Sequence, residues 1–83
     1  MGRAAKLMAA ARSGSSLSFR DFEALLAACG FRLRATSGSH RLWKHEGSGV
    51  KLSVQSDGKD AKRYQIRQFL AIVDTHDLTL DER

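Results

Sequence analysis

The spacing of apolar residues changes twice along this chain, and that change constrains the fold more than any other sequence feature. Over residues 19–29 the apolar side chains recur with a period of 3.6, which is typical of an amphipathic helix. Over residues 31–54 they alternate with polar ones, as in strands that bury one face. The helical period then returns over residues 61–75. The sequence therefore predicts an α+β fold.

The turn signals divide the alternating stretch into three strands, predicted at 31–35, 40–45 and 50–54. A polar loop is expected at 56–60, before the last helix. Ser18 is the predicted N-cap of the first amphipathic helix, and Gly30 is placed to end it in the left-handed conformation. We expect a three-stranded antiparallel sheet packed on two helices, in the order helix, strand, strand, strand, helix.

The 83 residues suffice for one domain. Residues 3–11 are rich in alanine and predict a short helix, followed by a break over 12–16. We therefore divide the chain into an N-terminal extension with a helical segment (1–16), a folded domain (17–76) and a solvated acidic tail (77–83).

Positive charge is concentrated in the middle of the chain. The net charge is +5, and residues 32–67 carry nine basic side chains against three acidic ones. The nine are Arg32, Arg34, Arg41, Lys44, Lys51, Lys59, Lys62, Arg63 and Arg67. Such a distribution favours an anionic partner, nucleic acid first, although loose positive charge for solubility is also common.

Lys62 and Arg63 fall in the first turn of the predicted last helix, where the helix dipole disfavours cations. With Lys59 before them and Arg67 one turn later, they form an arrangement suited to holding phosphate. The alternative is that these side chains extend into water, where the unfavourable interaction is screened.

Other features limit the function classes. The single cysteine, Cys29, excludes an internal disulfide and a cysteine-rich zinc site. No apolar run is long enough to cross a membrane, and residues 1–12 lack a secretion signal, so we expect a cytoplasmic protein. The three histidines do not form a metal-binding pattern, so no metal is expected.

Several short motifs occur in a recognisable order. They are Cys29-Gly30-Phe31 at the end of a helix, Gly38-Ser39-His40 opening a strand, Leu42-Trp43-Lys44-His45, Lys51-Leu52-Ser53-Val54-Gln55, Asp57-Gly58-Lys59 and Tyr64-Gln65-Ile66-Arg67-Gln68. Together they resemble the HicA (YcfA-like) toxin family of type II toxin–antitoxin systems, over about residues 17–73.

The resemblance implies a double-stranded-RNA-binding-like fold and a metal-independent endoribonuclease that needs no cofactor. It also implies mRNA as the substrate and a HicB-like antitoxin as the neutralising partner. The family's functional histidine follows the Gly-Ser pair, which is His40 here. Many family members have a second histidine at the end of the third strand, where this chain reads Gln55-Ser56-Asp57. The extension over residues 1–16 is a further departure.

The chemistry fits these residues. RNA supplies its own nucleophile, the 2′-hydroxyl, and histidine suits the proton transfer because it titrates near neutral pH. His40 is the predicted catalytic residue. Asp57 or Tyr64 is a candidate to orient it or to transfer the second proton. The predicted phosphate contacts are Lys44, Lys59, Lys62, Arg63 and Arg67.

The remaining candidates have simpler interpretations. His45 lies on the strand face opposite His40 and is expected to be solvated, and His76 lies in an acidic stretch. Trp43 either stacks on an unpaired base or packs in the core, and Tyr64 has the same ambiguity. Cys29 ends an apolar stripe and is expected to be a buried small hydrophobe rather than a nucleophile.

Three functions remain open from the sequence. The first, which we favour, is a toxin that cleaves mRNA through His40. The second is a non-catalytic RNA-binding module that uses the basic loop and last helix. The third is a protein-interaction domain whose basic patch meets an acidic protein.

Overall fold

The structure, a computed structural model, describes residues 2–80, and over these it places three helices and four strands. The α+β prediction is confirmed. In chain order the elements are α1 (Arg3–Arg12), α2 (Phe19–Ala28), β1 (Phe31–Ser37), β2 (His40–His45), β3 (Lys51–Asp57), β4 (Asp60–Ala61) and α3 (Arg63–His76).

The sheet is an antiparallel meander in the order β1-β2-β3-β4, so the predicted number of three strands is wrong by one short strand. The stretch predicted as a polar loop instead extends β3 and turns back into the two-residue β4. Ser56 pairs with Ala61, and Asp57 pairs with Asp60. Gly58, at φ 64°, lets the chain reverse within two residues, which is why no longer loop is needed.

A bulge in β1 changes the face that its second half presents. Leu33 pairs with Trp43, but Ala35 pairs with Leu42, so β1 contributes one residue more than β2 between these pairs. Opposed residues share a face of the sheet. Ala35 therefore lies with Leu42 on the open face of the sheet, which is the face turned away from the helices. The simple alternation expected for β1 holds only as far as Leu33.

The core lies between the inner face of the sheet and the helices. Phe22, Phe31 and Phe69 are fully buried. The Phe69 ring centroid lies 5.9 Å from that of Phe22 and 6.1 Å from that of Phe31, so one side chain of α3 joins α2 to the sheet. Both predicted termini of α2 are confirmed. The Ser18 hydroxyl accepts from the Asp21 amide at 3.0 Å, and Gly30 follows the helix at φ 96°.

The N-terminal segment packs against this domain. Ala11 of α1 is buried in the core. Arg3 pairs with Asp21 of α2, and Arg12 pairs with Asp74 of α3 at 2.8 Å. The hydrogen bond from Arg12 lowers the pKa of Asp74. The contribution of this ion pair is therefore fully present above the ordinary carboxyl pKa and is lost as acid protonates Asp74.

The start of the acidic tail is not wholly solvated, because Leu78 and Leu80 pack against the core. The remaining tail residues, 81–83, lie outside the described residues. Over residues 2–80, none of the helices has both the length and the hydrophobicity that crossing a bilayer requires.

Glu23 joins α2 to β2, and its removal is expected to destabilise the fold by about 1–3 kcal/mol. Its carboxylate accepts from Trp43 Nε1 at 3.1 Å and from Arg41. Glu23→Ala leaves the donors of both residues without an acceptor beneath the helix. The midpoint of urea denaturation is therefore expected to fall.

Glu46→Ala is the matched control for Glu23→Ala. It also removes a carboxylate that pairs with an arginine, Arg32, at a distance of 3.4 Å. Both side chains of that pair are exposed, and exposed ion pairs contribute less than about 1 kcal/mol to the free energy of unfolding. Equal shifts of the urea midpoint in the two variants would contradict a structural role for the Glu23 contacts.

Candidate functional site

His40 is the first residue of β2 and follows a two-residue turn, Gly38-Ser39. Gly38 has φ 59°, the positive value that favours glycine at the first position of such turns. Arg41 and Trp43 contact Glu23 of α2, so they lie on the inner face, and strand alternation places His40 on the open face. The His40 side chain is exposed, and its ring makes no hydrogen bond with any residue of the described range. Its imidazole nitrogens are therefore accessible to a ligand.

Gln55 is the cross-strand neighbour of His40, and it links two other residues of this end of the sheet. Its side-chain amide donates to Ser39 Oγ at 2.9 Å, and its Oε1 accepts from Lys62 Nζ at 3.3 Å. The backbone N–H of Gln55 donates to Oε1 of the buried Gln65 at 3.0 Å. These contacts bring Lys62 to the end of the sheet that carries His40.

The start of α3 keeps the cationic character that the sequence predicts. The helix begins at Arg63, and Lys62 is its N-cap residue with extended backbone angles and no side-chain cap. The first turn contains no acidic residue. Lys59 is exposed in the turn before β4, and its carbonyl accepts from the Phe19 amide at 2.8 Å. Amides at a helix start and nearby cations together suit a phosphate group.

Two predicted phosphate contacts lie against the N-terminal segment. Arg63 Nη1 donates to the Gly14 carbonyl at 2.7 Å. Arg63 and Arg67 line a crevice of about 30 Å³ with Ala11 and Ser15. Within the described residues, no contact joins either arginine to His40. The structure therefore links Lys62 to Gln55, the strand neighbour of His40, and places Arg63 and Arg67 against the N-terminal segment.

Lys44 shares the open face with His40, as predicted. It lies four residues along β2, which corresponds to about 13 Å at the usual rise of a strand. Lys44 is therefore not an immediate neighbour of His40 on this face.

His45 differs from expectation, because it is a packed residue rather than a solvated one. Its ring meets Phe31 edge to face at 5.3 Å, and its Nδ1 accepts from the Ser48 amide at 3.0 Å. A Cβ on Gly30 would lie 3.0 Å from His45 Nε2, which shows how closely the ring is enclosed. His45 therefore supports the hairpin and the end of α2.

The other aromatic and thiol candidates differ in how far their side chains are buried. Trp43 is buried, so its core interpretation is confirmed and base stacking is excluded. Tyr64 is 53% exposed on α3, and its hydroxyl lies 3.4 Å from the Gln65 side-chain nitrogen. Cys29 is buried, and desolvation raises the pKa of its thiol, so it is not an activated nucleophile.

The remaining polar candidates, Asp57 and His76, form no hydrogen bond or ion pair with His40 in the described part of the chain. Asp57 lies in the β3–β4 hairpin opposite Asp60. His76 is exposed at the end of α3. Over residues 2–80, no three His, Cys, Asp or Glu side chains cluster as a metal site would require.

Comparison with protein-family models shows to which family this chain belongs. A family model described as HicA toxin of bacterial toxin–antitoxin matches residues 19–74, more than half of the chain. The chain belongs to the HicA toxin family. It is therefore the toxin of a bacterial toxin–antitoxin pair. Comparison with curated proteins and with solved structures gives no match.

The HicA match begins with α2 and ends within α3, so it contains His40, Gln55 and Lys62 and leaves α1 outside. The likeness to the double-stranded-RNA-binding fold stays a prediction.

Sequence reasoning missed the Gln55 contacts because it treated that position only as the place of an absent second histidine. The available signal was the strand register, which places residue 55 opposite residue 40.

Proposed function

We propose that this HicA toxin is a metal-independent endoribonuclease that cleaves mRNA with His40 as its catalytic residue. The observation that carries the proposal is the position of His40. It is exposed beside a turn, and its ring forms no hydrogen bond with other residues of the described range. It pairs with Gln55 on the neighbouring strand, and Gln55 contacts Lys62. A base beside a cation is what cleavage by the 2′-hydroxyl needs.

The proposed reaction is transfer of the phosphate to the 2′ oxygen. His40 takes the proton of the 2′-hydroxyl, the 2′ oxygen bonds to phosphorus, and the bond to the 5′ oxygen breaks. The leaving 5′ oxygen takes a proton from water. The Lys62 ammonium stabilises the negative charge that accumulates on the phosphoryl oxygens, and Gln55 keeps it near the site.

The other proposed RNA contacts are Lys59, Arg63, Arg67 and Lys44. Lys59 extends the cationic start of α3, and Arg63 and Arg67 continue it toward α1. Lys44 lies on the open face of the sheet. These side chains are spread over more than one surface, so most of them would contact phosphates other than the one being cleaved.

We also propose that a HicB-like antitoxin neutralises the toxin by covering His40 and the basic start of α3. Family membership in a toxin–antitoxin pair supports this partner. An acidic antitoxin surface would suit the net charge of +5, because complementary charge speeds association.

The products of cleavage test the catalytic proposal. Purified toxin is incubated with mRNA in the presence of EDTA, and the fragment ends are analysed. We expect cleavage that EDTA does not prevent, with 2′,3′-cyclic phosphate ends upstream of the cut and 5′-hydroxyl ends downstream.

An RNA with a 2′-deoxy nucleotide at the cleaved position is the matched substrate control. It lacks the internal nucleophile and should remain intact while other positions are cut. Tight binding of RNA without any cleavage would instead support the RNA-binding module. Cleavage that EDTA abolishes would exclude the metal-independent reaction.

A further inference from the structure

Over residues 2–80, no helix covers the open face of the sheet, and this face carries three cations that have no anionic partner among those residues, namely Arg34, Lys44 and Lys51. Lys44 and Lys51 are directly opposed on β2 and β3. Arg34, the extra residue of the β1 bulge, lines an open groove of about 200 Å³ with Lys44 and Glu46. Over residues 2–80, none of the three cationic side chains forms a hydrogen bond or an ion pair with another residue.

This arrangement is unfavourable for the isolated fold. Like charges that face each other on neighbouring strands are destabilising. Glu46 also lines the groove, but its ion pair is with Arg32, whose Nε lies 3.4 Å from the carboxylate, so it offsets the repulsion only in part. Like charges that face each other without a neutralising group inside the protein are typical of a binding surface. An anionic ligand would supply the missing negative charge.

We propose that Arg34, Lys44 and Lys51 bind phosphates of the RNA chain that flank the cleaved nucleotide, an inference that rests on the proposed ribonuclease function. His40 lies on the same face of the sheet, at the opposite end of β2 from Lys44. The separation of about 13 Å along the strand places the three cations beyond the scissile phosphate. They therefore form a basic track for the substrate on one side of the cut.

Among anionic partners, RNA fits this surface better than a protein does. Protein interfaces usually have an apolar core surrounded by polar residues. Between these cations the open face offers only Ala35 and the half-buried Leu42 as apolar side chains, beside the hydroxyl of Ser53. Separated cations on a largely polar surface match the regular charges of a nucleic-acid backbone.

The position of the track predicts a specific kinetic signature. Contacts to flanking phosphates are the same before and during the reaction, so their loss should raise KM and leave kcat almost unchanged. We expect the double variant Arg34→Gln/Lys51→Gln to raise KM about tenfold. The double variant Lys6→Gln/Arg20→Gln is the matched control, because it removes the same charge from exposed residues of α1 and α2.

Binding without cleavage separates this proposal from the ribonuclease proposal. In a His40→Ala background, the affinity for a single-stranded RNA oligonucleotide is measured over a range of salt concentrations. Each lost phosphate contact lowers the slope of log affinity against log salt by about 0.7. The double variant Arg34→Gln/Lys51→Gln should therefore lower the magnitude of the slope by about 1.4. The double variant Lys6→Gln/Arg20→Gln should leave the slope close to the parent value.

Two results would overturn the basic track. One is equal salt slopes and affinities for the two double variants, which would mean that only net charge matters. The other is unchanged RNA binding by Arg34→Gln/Lys51→Gln with weakened binding of a HicB-like antitoxin, which would assign the face to the protein partner. A toxin that binds RNA through the track but never cleaves it would refute only the ribonuclease proposal.

Discussion

His40→Ala is expected to abolish growth arrest when the toxin is induced in a bacterial host, and to preserve total mRNA. The wild-type toxin should arrest growth and degrade mRNA. A general base of this kind contributes a factor of about 10²–10⁴ to the reaction rate. The cleavage rate of the purified variant should therefore fall by a factor of at least about 10². RNA affinity should remain close to wild type, because the substitution removes no cation. The measurements are growth, mRNA integrity and the cleavage rate in vitro.

The matched control is His76→Ala, which removes an exposed histidine from the far end of α3. It should remain as toxic as the wild type. His45→Ala is unsuitable as a control because that ring packs against Phe31. If a folded His40→Ala protein cleaved RNA at the wild-type rate, the catalytic assignment would be lost and the RNA-binding module would become the better account.

Phe69→Ala is expected to have the largest effect on stability, about 3–5 kcal/mol. The Phe69 ring is fully buried and meets both Phe22 and Phe31, so its loss opens a cavity at the junction of α2, α3 and the sheet. Domains of this size have a total stability of roughly 4–12 kcal/mol. The variant should therefore unfold at much lower urea concentration, or be partly unfolded without denaturant.

Tyr64→Ala on the same helix is the control for Phe69→Ala. Tyr64 is exposed, so its truncation should change the free energy of unfolding by less than about 0.5 kcal/mol. Similar effects of the two substitutions would show that the core is not organised around Phe69. The comparison also shows why loss of toxicity in any variant must be accompanied by evidence that the protein remains folded.

Local signals predicted the helices and the inner face of the sheet. Ser18 and Gly30 mark the ends of α2 because capping and left-handed backbone depend on residues close in sequence. Trp43 and Val54 are buried where alternation put the apolar face. The position of His40 at the start of β2 followed from the Gly-Ser turn before it.

The errors arose where distant segments decide the structure. β4 exists because Asp60 and Ala61 pair with β3 and also contact residues 17 and 18, which a reading of residues 56–60 alone does not reveal. The bulge at Arg34 is a mismatch between two strands, so neither strand shows it alone. Gln55 meets Lys62 because β4 turns the chain back beside β3, which the pattern of either segment alone does not show.

The position of β1 has a consequence for the colloidal behaviour of the toxin. β1 is an outer strand of the sheet, and within the described part of the chain no other strand pairs with its free side. Exposed strand edges can pair with other copies and start aggregation, and charged side chains and bulges hinder that pairing. Arg32, Arg34 and the bulge supply both forms of protection here. We therefore expect the arginines of β1 to oppose association through this edge, so charge-reduced variants should be checked by light scattering before their RNA affinity is compared.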